Sequence, residues 1–306
     1  MAFRLKLTRS LKANVKRLVR RQLDKAKKCA RATDKSQAEI VHDIRKCFKR
    51  IRAVFRLVRD ALGNAEFRKD NDALRDAARP LAVVRDAKIM LEALDKLTER
   101  YPDDQDAEAF AGLHWVLEQE QKTIEQKVLN ESNALGDVTR VIAKIQTRVG
   151  SLDLPRKRWS VVRLGIQRVY QQGREAWHAA EANRDPKSLH EWRKQAKYLW
   201  HQLEILQDLS SWLKGHADQL HRLTQLLGDD HDLVVLRAKA ITLIAPADHE
   251  VREKLFGQID RRREELLNEA FALGRQLFTE PCKEIAQQLK KQWDSWAPIG
   301  RVSTAT

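Results

Sequence analysis

The sequence predicts an all-α protein built as two pseudo-symmetric helical bundles of four-helix-bundle type, residues 1–150 and 151–306, related by internal duplication. Three observations carry this expectation. Ala, Leu, Arg, Lys, Glu and Gln dominate, with only 11 Gly and 7 Pro in 306 residues, which is the composition of a chain of helix formers. Apolar residues recur at spacings of three and four, and no segment sustains the period-two alternation of a half-buried strand. An amphipathic segment at 41–62 also returns 148 residues later, at 189–206, with the same order of polar residues on its flank.

Taken in order, residues 5–31 form a first helix, with Leu7, Leu11, Val15, Leu18 and Ala26 on one side and Arg17, Arg21 and Lys28 along a flank. Residues 33–36 make a turn from which Asp34 or Ser36 caps the next helix. That helix, 41–62, places Ile44, Phe48, Ile51, Phe55, Val58 and Leu62 on one face and stops at Gly63-Asn64. A helical segment at 66–78 breaks or kinks before Pro80, and another continues beyond it. A loop at 101–106 leads to helices at 107–131 and 134–149, and residues 150–155 divide the halves. The second half has a helix at 159–182, where Arg163 and Arg174 echo the spacing of Arg17 and Lys28. Asp185-Pro186 starts the next, with Trp192, Ala196, Leu199, Leu203 and Leu206 as its core face. Helices at 214–227 and 229–244 meet at a turn in LLGDDHDL, and helices at 247–273 and 279–296 precede a frayed tail from residue 298.

The net charge of +15 lies wholly in residues 1–62, which hold 20 Lys/Arg against 5 Asp/Glu. Residues 156–197 are basic again, with 11 against 4, while 99–131 are acidic, with 3 against 9. Cations gathered into two segments point to a localised anion site. Cys29, Cys47 and Cys282 show no metal-ligand or paired spacing, as suits a reducing compartment. No apolar run approaches 18 residues, so neither a transmembrane helix nor a signal peptide is expected, and a cytoplasmic location is.

The candidate site is the doubled motif His-x-x-Arg-Lys-x-x-Lys. It comprises His42, Arg45, Lys46 and Lys49, extended by Arg52, and then His190, Arg193, Lys194 and Lys197. A basic stripe on a single helix is usually a solvated face, but these stripes lack interspersed acidic partners and recur in register with the core face. Metal at the histidines is disfavoured, because the positions three and four residues on are Arg45, Lys46, Arg193 and Lys194. His231, among Asp229, Asp230 and Asp232, reads as turn and cap chemistry. No nucleophile signature and no Gly-rich phosphate loop is present, so the expectation is a binder, not an enzyme, with no cofactor. Many cations along one helix call for a polyanion. Scarce aromatics, 6%, favour one made of phosphates over one with bases to stack.

At these residues the sequence resembles the CHAD family, the conserved-histidine α-helical domain. The resemblance rests on both motif copies, on LGDDHD at 227–232 and on Tyr-x-x-Gly-Arg at 170–174, and it covers essentially the whole chain. It implies two four-helix bundles whose basic faces line a shared groove or pore that binds inorganic polyphosphate, at polyphosphate granules. The implied contacts are the motif residues together with Arg52. Arg17, Arg21, Lys28, Arg163 and Arg174 are added by facing and charge. Two departures reduce the expected charge of the second copy, with Trp200 where the first has Arg52 and Glu204 where it has Arg56. The strand motif of the triphosphatase domains fused to some relatives is missing. Alternatives are nucleic-acid association through the same surface, polyphosphate hydrolysis or elongation, and a scaffold docking a partner on the acidic 99–131 helix. The last includes an accessory to a polyphosphate-metabolising enzyme.

Overall fold

The computed structural model describes residues 3–6, 8–102, 107–154 and 158–296. These form α1 (Leu11–Cys29), α2 (Gln37–Leu57), α3 (Arg59–Leu62), α4 (Asn64–Arg100), α5 (Ala107–Glu125), α6 (Ala134–Ser151), α7 (Arg158–Asn183), α8 (Pro186–Leu206), α9 (Ser211–Leu243), α10 (His249–Phe278) and α11 (Cys282–Trp296). A π-helical turn, Gln126–Glu131, follows α5, and a 3-10 turn, Gln207–Leu209, follows α8. No strand occurs among the described residues. The expected tail beyond 298, most of the loop at 101–106 and residue 155 of the expected boundary lie outside the described residues. No helix among the described residues is long and apolar enough to cross a membrane.

The two motif helices are fixed in rotation by their core faces. On α2, Ile44, Phe48, Ile51, Phe55 and Val58, which follows its last residue, are each no more than 1% exposed. On α8, Trp192, Ala196, Leu199, Leu203 and Leu206 are buried, with Trp192 stacked on Phe271 of α10 at 5.3 Å between ring centroids. A fully buried side chain of this size contributes about 2 kcal/mol. Turning either helix to move its polar flank elsewhere would therefore expose on the order of 10 kcal/mol of apolar contact. Both starts are capped as the sequence indicates. The Ser36 side chain accepts from the Glu39 amide while Glu39 bonds back to the Ser36 amide, and Asp185 accepts from the amides of Lys187 and Ser188.

Four expectations change. The first helix begins at Leu11, because residues 3–6 instead pack against α8: the Leu5 amide donates to the Ile205 carbonyl at 2.9 Å, and Phe3 and Leu5 are buried. The segment 41–62 is broken at Val58. There α7 crosses so closely that a side chain at Gly165 would fall on the Leu57 carbonyl oxygen. Gly63, at φ +83°, then makes a turn that favours glycine, and α4 starts at once. Pro80 does not stop α4, which runs 37 residues through it. The turn expected at LLGDDHDL is absent, since α9 continues for 33 residues. The cost of Gly228 in mid-helix, about 1 kcal/mol, is outweighed by the packing that holds the helix on either side. Leu226, Leu227, Leu233 and Leu236 are buried, and buried Asp230 pairs with Arg263 of α10 at 2.8 Å.

Candidate functional site

α2 and α4 face α8 and α9 across a cleft of about 700 Å³. Seven residues of the doubled motif line it: His42, Arg45, Lys46 and Lys49 from α2, and His190, Arg193 and Lys197 from α8. α4 adds Arg85, Asp86 and Lys96, while α9 adds His221, Arg222, Asp229, His231 and Asp232. A weak echo in the sequence could have found two of these pairs. LAVVRD and LGDDHD, at 81–86 and 227–232, align Arg85 with His231 and Asp86 with Asp232, and all four face the cleft.

The cations fall into two kinds. Those from α4 and α9 already hold carboxylates: Arg85 with Glu92 at 3.0 Å, Lys96 with Asp229 at 3.0 Å, and Arg222 with Glu269 at 2.7 Å. Those of the motif do not. Among the described residues no carboxylate lies within ion-pair distance of Arg45, Lys46, Lys49, Arg193 or Lys197. Arg45 spends one donor on the Ala78 carbonyl near Pro80, at 3.1 Å. The Nε of Arg193 is buried without a hydrogen-bond partner, as are those of Arg17, Arg50 and Arg148, but only that of Arg193 belongs to a residue lining the cleft. Arg193 has room because position 228 is glycine: a Cβ there would sit 3.5 Å from its Nη2.

This crowding shows in the protonation equilibria. Burial, followed by the charges of Lys197, Arg45, Arg193 and Arg85, drives Lys49 down to about 6. Burial and Arg193 bring Lys197 to about 8, with Asp232 pulling the other way. His42 and His190 are both lowered, first by burial and then by Arg85 and Arg193 respectively. Burial, Arg193 and His190 push His231 to about 4, and its ring lies 4.7 Å from that of His190. The free cleft thus holds fixed guanidinium charge beside lysines and histidines that surrender protons, and a bound anion would reverse that.

The other sequence candidates lie elsewhere. Arg17 is buried, and its Nη2 donates to the Arg4 carbonyl and to Asn14 Oδ1 away from the cleft, while its Nε has no partner. Arg174 donates to the Phe278 carbonyl at 3.1 Å and Tyr170 to the Glu280 carbonyl at 2.8 Å. The Tyr-x-x-Gly-Arg element therefore ties α7 to the open carbonyls at the end of α10. Arg52 donates to Asn71 Oδ1 at 3.0 Å, and Lys194 is exposed and paired with Glu191. Arg163 is exposed on α7, and neither Arg21 nor Lys28 lines the cleft. At the two departures, Trp200 stacks between the rings of His201 and His221, each 4.3 Å away. Glu204 receives Arg50 of α2 at 2.5 Å and lies 3.1 Å from His201 Nδ1. The lost charge of the second copy has become a clasp between the motif helices.

The CHAD domain family model matches residues 17–240. The fold is similar to the crystal structure of the CHAD domain from the plant Ricinus communis, with a TM-score of 0.67 and 18% identity over 90% of this chain and 94% of that one. It is also similar to PptA from Streptomyces chartreusis, with a TM-score of 0.59 and 14% identity over 88% of this chain and all of that one. No curated protein matches it in sequence.

Proposed function

The chain belongs to the CHAD domain family, and on that premise we propose that it binds inorganic polyphosphate, without turning it over, in the cleft between α2 and α8. One observation carries the reading. Two helices with the same motif direct seven side chains into one cavity, where the motif's cations have no internal carboxylates and a buried Arg193 donor has no acceptor. Such an arrangement destabilises the empty protein and is relieved by several negative charges in a row. A single phosphate would leave most of the cations unmatched, whereas a chain of phosphates offers forks for the guanidiniums and point contacts for the ammoniums. His42 and His190, held largely neutral, are placed to donate to the same oxygens. Association with polyphosphate granules would follow from affinity of this kind.

The test is a titration with medium-chain polyphosphate at two salt concentrations, with duplex DNA as competitor. Tight, salt-sensitive binding that DNA does not displace at equal phosphate supports the reading, whereas equal displacement reduces the cleft to a general polyanion site. Neutralising Arg45 and Lys49 together is expected to weaken binding far more than neutralising Lys254 and Lys290, which pair with Glu250 and Asp294 on α10 and α11. Incubation with Mg²⁺ tests the absence of turnover: release of phosphate or a change in chain length would overturn that part.

A further inference from the structure

The cleft leaves most of the molecule's excess charge unexplained. Residues 1–62 carry the whole +15, yet they supply only Arg45, Lys46 and Lys49, besides His42, to the cleft. Much of the remainder stands on α1. Arg20 and Lys27 lie seven apart and so share a face, Arg21 and Lys28 run beside them at the same spacing, and Arg31 follows in the turn just past the last helical residue, Cys29. The opposite face of α1, from Leu11 to Cys29, is packed into the core, so this one is turned outward. Arg20, Lys28 and Arg31 are exposed, and Lys27 and Arg21 partly so.

Among the described residues, none of these five cations has a carboxylate within ion-pair distance. The neighbouring cations differ: Lys12 holds Asp153 and Lys25 approaches Asp43. Asp24, the one acid on the outward face of the helix, accepts instead from Gln146 of α6 at 2.9 Å. Lys27, Lys28 and Arg31, together with Asp24 and Asp34, line an open hollow of about 490 Å³ at the end of α1. Two positions of the last helical turn answer the carbonyl dipole, which explains Lys27 and Lys28 there. It does not explain Arg20 and Arg21 two turns earlier, nor Arg31 beyond the end. Five like charges along twelve residues, a span of about 16 Å, repel one another, and Arg20, Arg21 and Arg31 have no such compensation in the free protein.

We infer that the outward face of α1, formed by Arg20, Arg21, Lys27, Lys28 and Arg31, is a second polyphosphate contact, separate from the cleft. Each molecule then holds one chain segment in the cleft and a second on α1, and it bridges two chains or two stretches of one chain. The inference rests on the polyphosphate reading of the cleft. The two surfaces differ in kind: the cleft is recessed between four helices and holds a short segment, while the face of α1 is open and gains only when many phosphates lie along it.

The experiment compares three proteins: wild type, the α1 variant Arg20→Gln/Lys27→Gln/Lys28→Gln/Arg31→Gln, and the cleft variant Lys49→Met/Lys197→Met. Each is titrated with tetrapolyphosphate and with long-chain polyphosphate across a salt series. Light scattering at equivalence reports bridging. The α1 variant is expected to keep its tetrapolyphosphate affinity within about twofold, which also shows that it folds. With long chains its log K against log salt slope should be shallower by about 2–3, as for four lost contacts at about 0.7 each on a flexible strand, and its scattering should fall several-fold. The cleft variant should lose tetrapolyphosphate binding and keep weak, steeply salt-dependent binding to long chains. An α1 variant that scatters and responds to salt like wild type overturns the inference while leaving the cleft intact. Wild type that binds neither ligand overturns both.

Discussion

Replacing Lys49 with Met tests the central physical claim, that the cleft is held in an unfavourable electrostatic state until an anion arrives. Lys49 is partly buried, and its amine lies near the charges of Lys197, Arg45, Arg193 and Arg85, so its pKa falls from 10.5 to about 6. At about 1.4 kcal/mol per pH unit, that displacement would be worth about 6 kcal/mol in a sealed site. The cleft is open to water, and screening that leaves a third of it still gives about 2 kcal/mol. The sign follows from proton binding. A lysine whose folded pKa lies below its unfolded one binds its proton more weakly in the native state, so it destabilises the fold fully below its folded pKa, and the penalty fades as pH rises from there toward 10.5. Methionine keeps the stem's packing and removes the charge. Without ligand at pH 7, Lys49→Met is therefore expected to melt about 3 °C higher than wild type, with the gap closing by pH 10. Added polyphosphate should stabilise wild type far more than the variant, because stabilisation by a ligand tracks its affinity for the native state. Thermal unfolding followed by circular dichroism, at pH 6, 7, 8.5 and 10 with and without polyphosphate, decides the matter. A variant that melts several degrees lower at pH 7, or a gap indifferent to pH, would refute the reasoning and make Lys49 an ordinary structural lysine.

Other consequences can be checked separately. Polyphosphate should draw protons into the cleft, because it raises the pKa values of Lys197 (about 8) and Lys49 (about 6) toward their ordinary range. Affinity is then expected to rise as pH falls from about 9 to 6, by at most tenfold per pH unit for each proton taken up, and calorimetry in two buffers of different ionisation enthalpy should count the protons. Gly228→Ala should stabilise α9 by up to about 1 kcal/mol and leave binding intact, since a Cβ there makes only ordinary contact with Arg193. Gly228→Leu, by displacing the guanidinium, should lower affinity about tenfold, and equal affinities for both variants would remove Arg193 from the site. Arg174→Gln should reduce the melting temperature by a few degrees while polyphosphate affinity stays within about twofold, because the lost bond is to the Phe278 carbonyl.

The helices and the centre of the site were legible because two periodicities coincide along 41–62 and 189–206. The apolar spacing sets which way each helix turns, and the polar order on its flank then has one direction to point. Seven of the nine core motif candidates, with Arg52 counted among them, share the cleft for that reason. Arg52 misses it because it lies two turns beyond Arg45 along α2, within reach of Asn71, and Lys194 is drawn to Glu191 on its own helix. Arg17 and Arg174 could not be placed from spacing, since what claims them is remote in sequence: the Arg4 carbonyl beside the extended chain start, and the Phe278 carbonyl 104 residues on. The continuity of α9 was hidden for a similar reason. Gly228 followed by Asp229 and Asp230 reads locally as a turn, and only the burial of Asp230 against Arg263 reveals that tertiary contacts hold the helix straight.

The division of the cleft's cations into paired and unpaired groups follows from what the fold must do before ligand arrives. A cavity lined only by unpaired charge would push its own walls apart, since like charges in a low-dielectric space repel strongly. Here the contributions of α4 and α9 are held by Glu92, Asp229 and Glu269. The Arg50–Glu204–His201 contact clasps α2 to α8 beside the motif residues. Burial of the Glu204 carboxylate works against its ionised form, and the bond to His201 and the charge of Arg50 overcome it, holding its pKa below the ordinary value. The replacement of two cations in the second motif copy by Trp200 and Glu204 therefore does more than weaken one half of the site. It supplies the attraction that keeps the motif helices together while Lys49, Arg193 and Lys197 repel across the gap. Glu204→Gln should accordingly loosen the empty protein more than the polyphosphate-bound one, and the difference between the two melting temperatures should widen relative to wild type. A variant equally destabilised with and without ligand would show that the clasp supports the fold at large and has no particular bearing on the cleft.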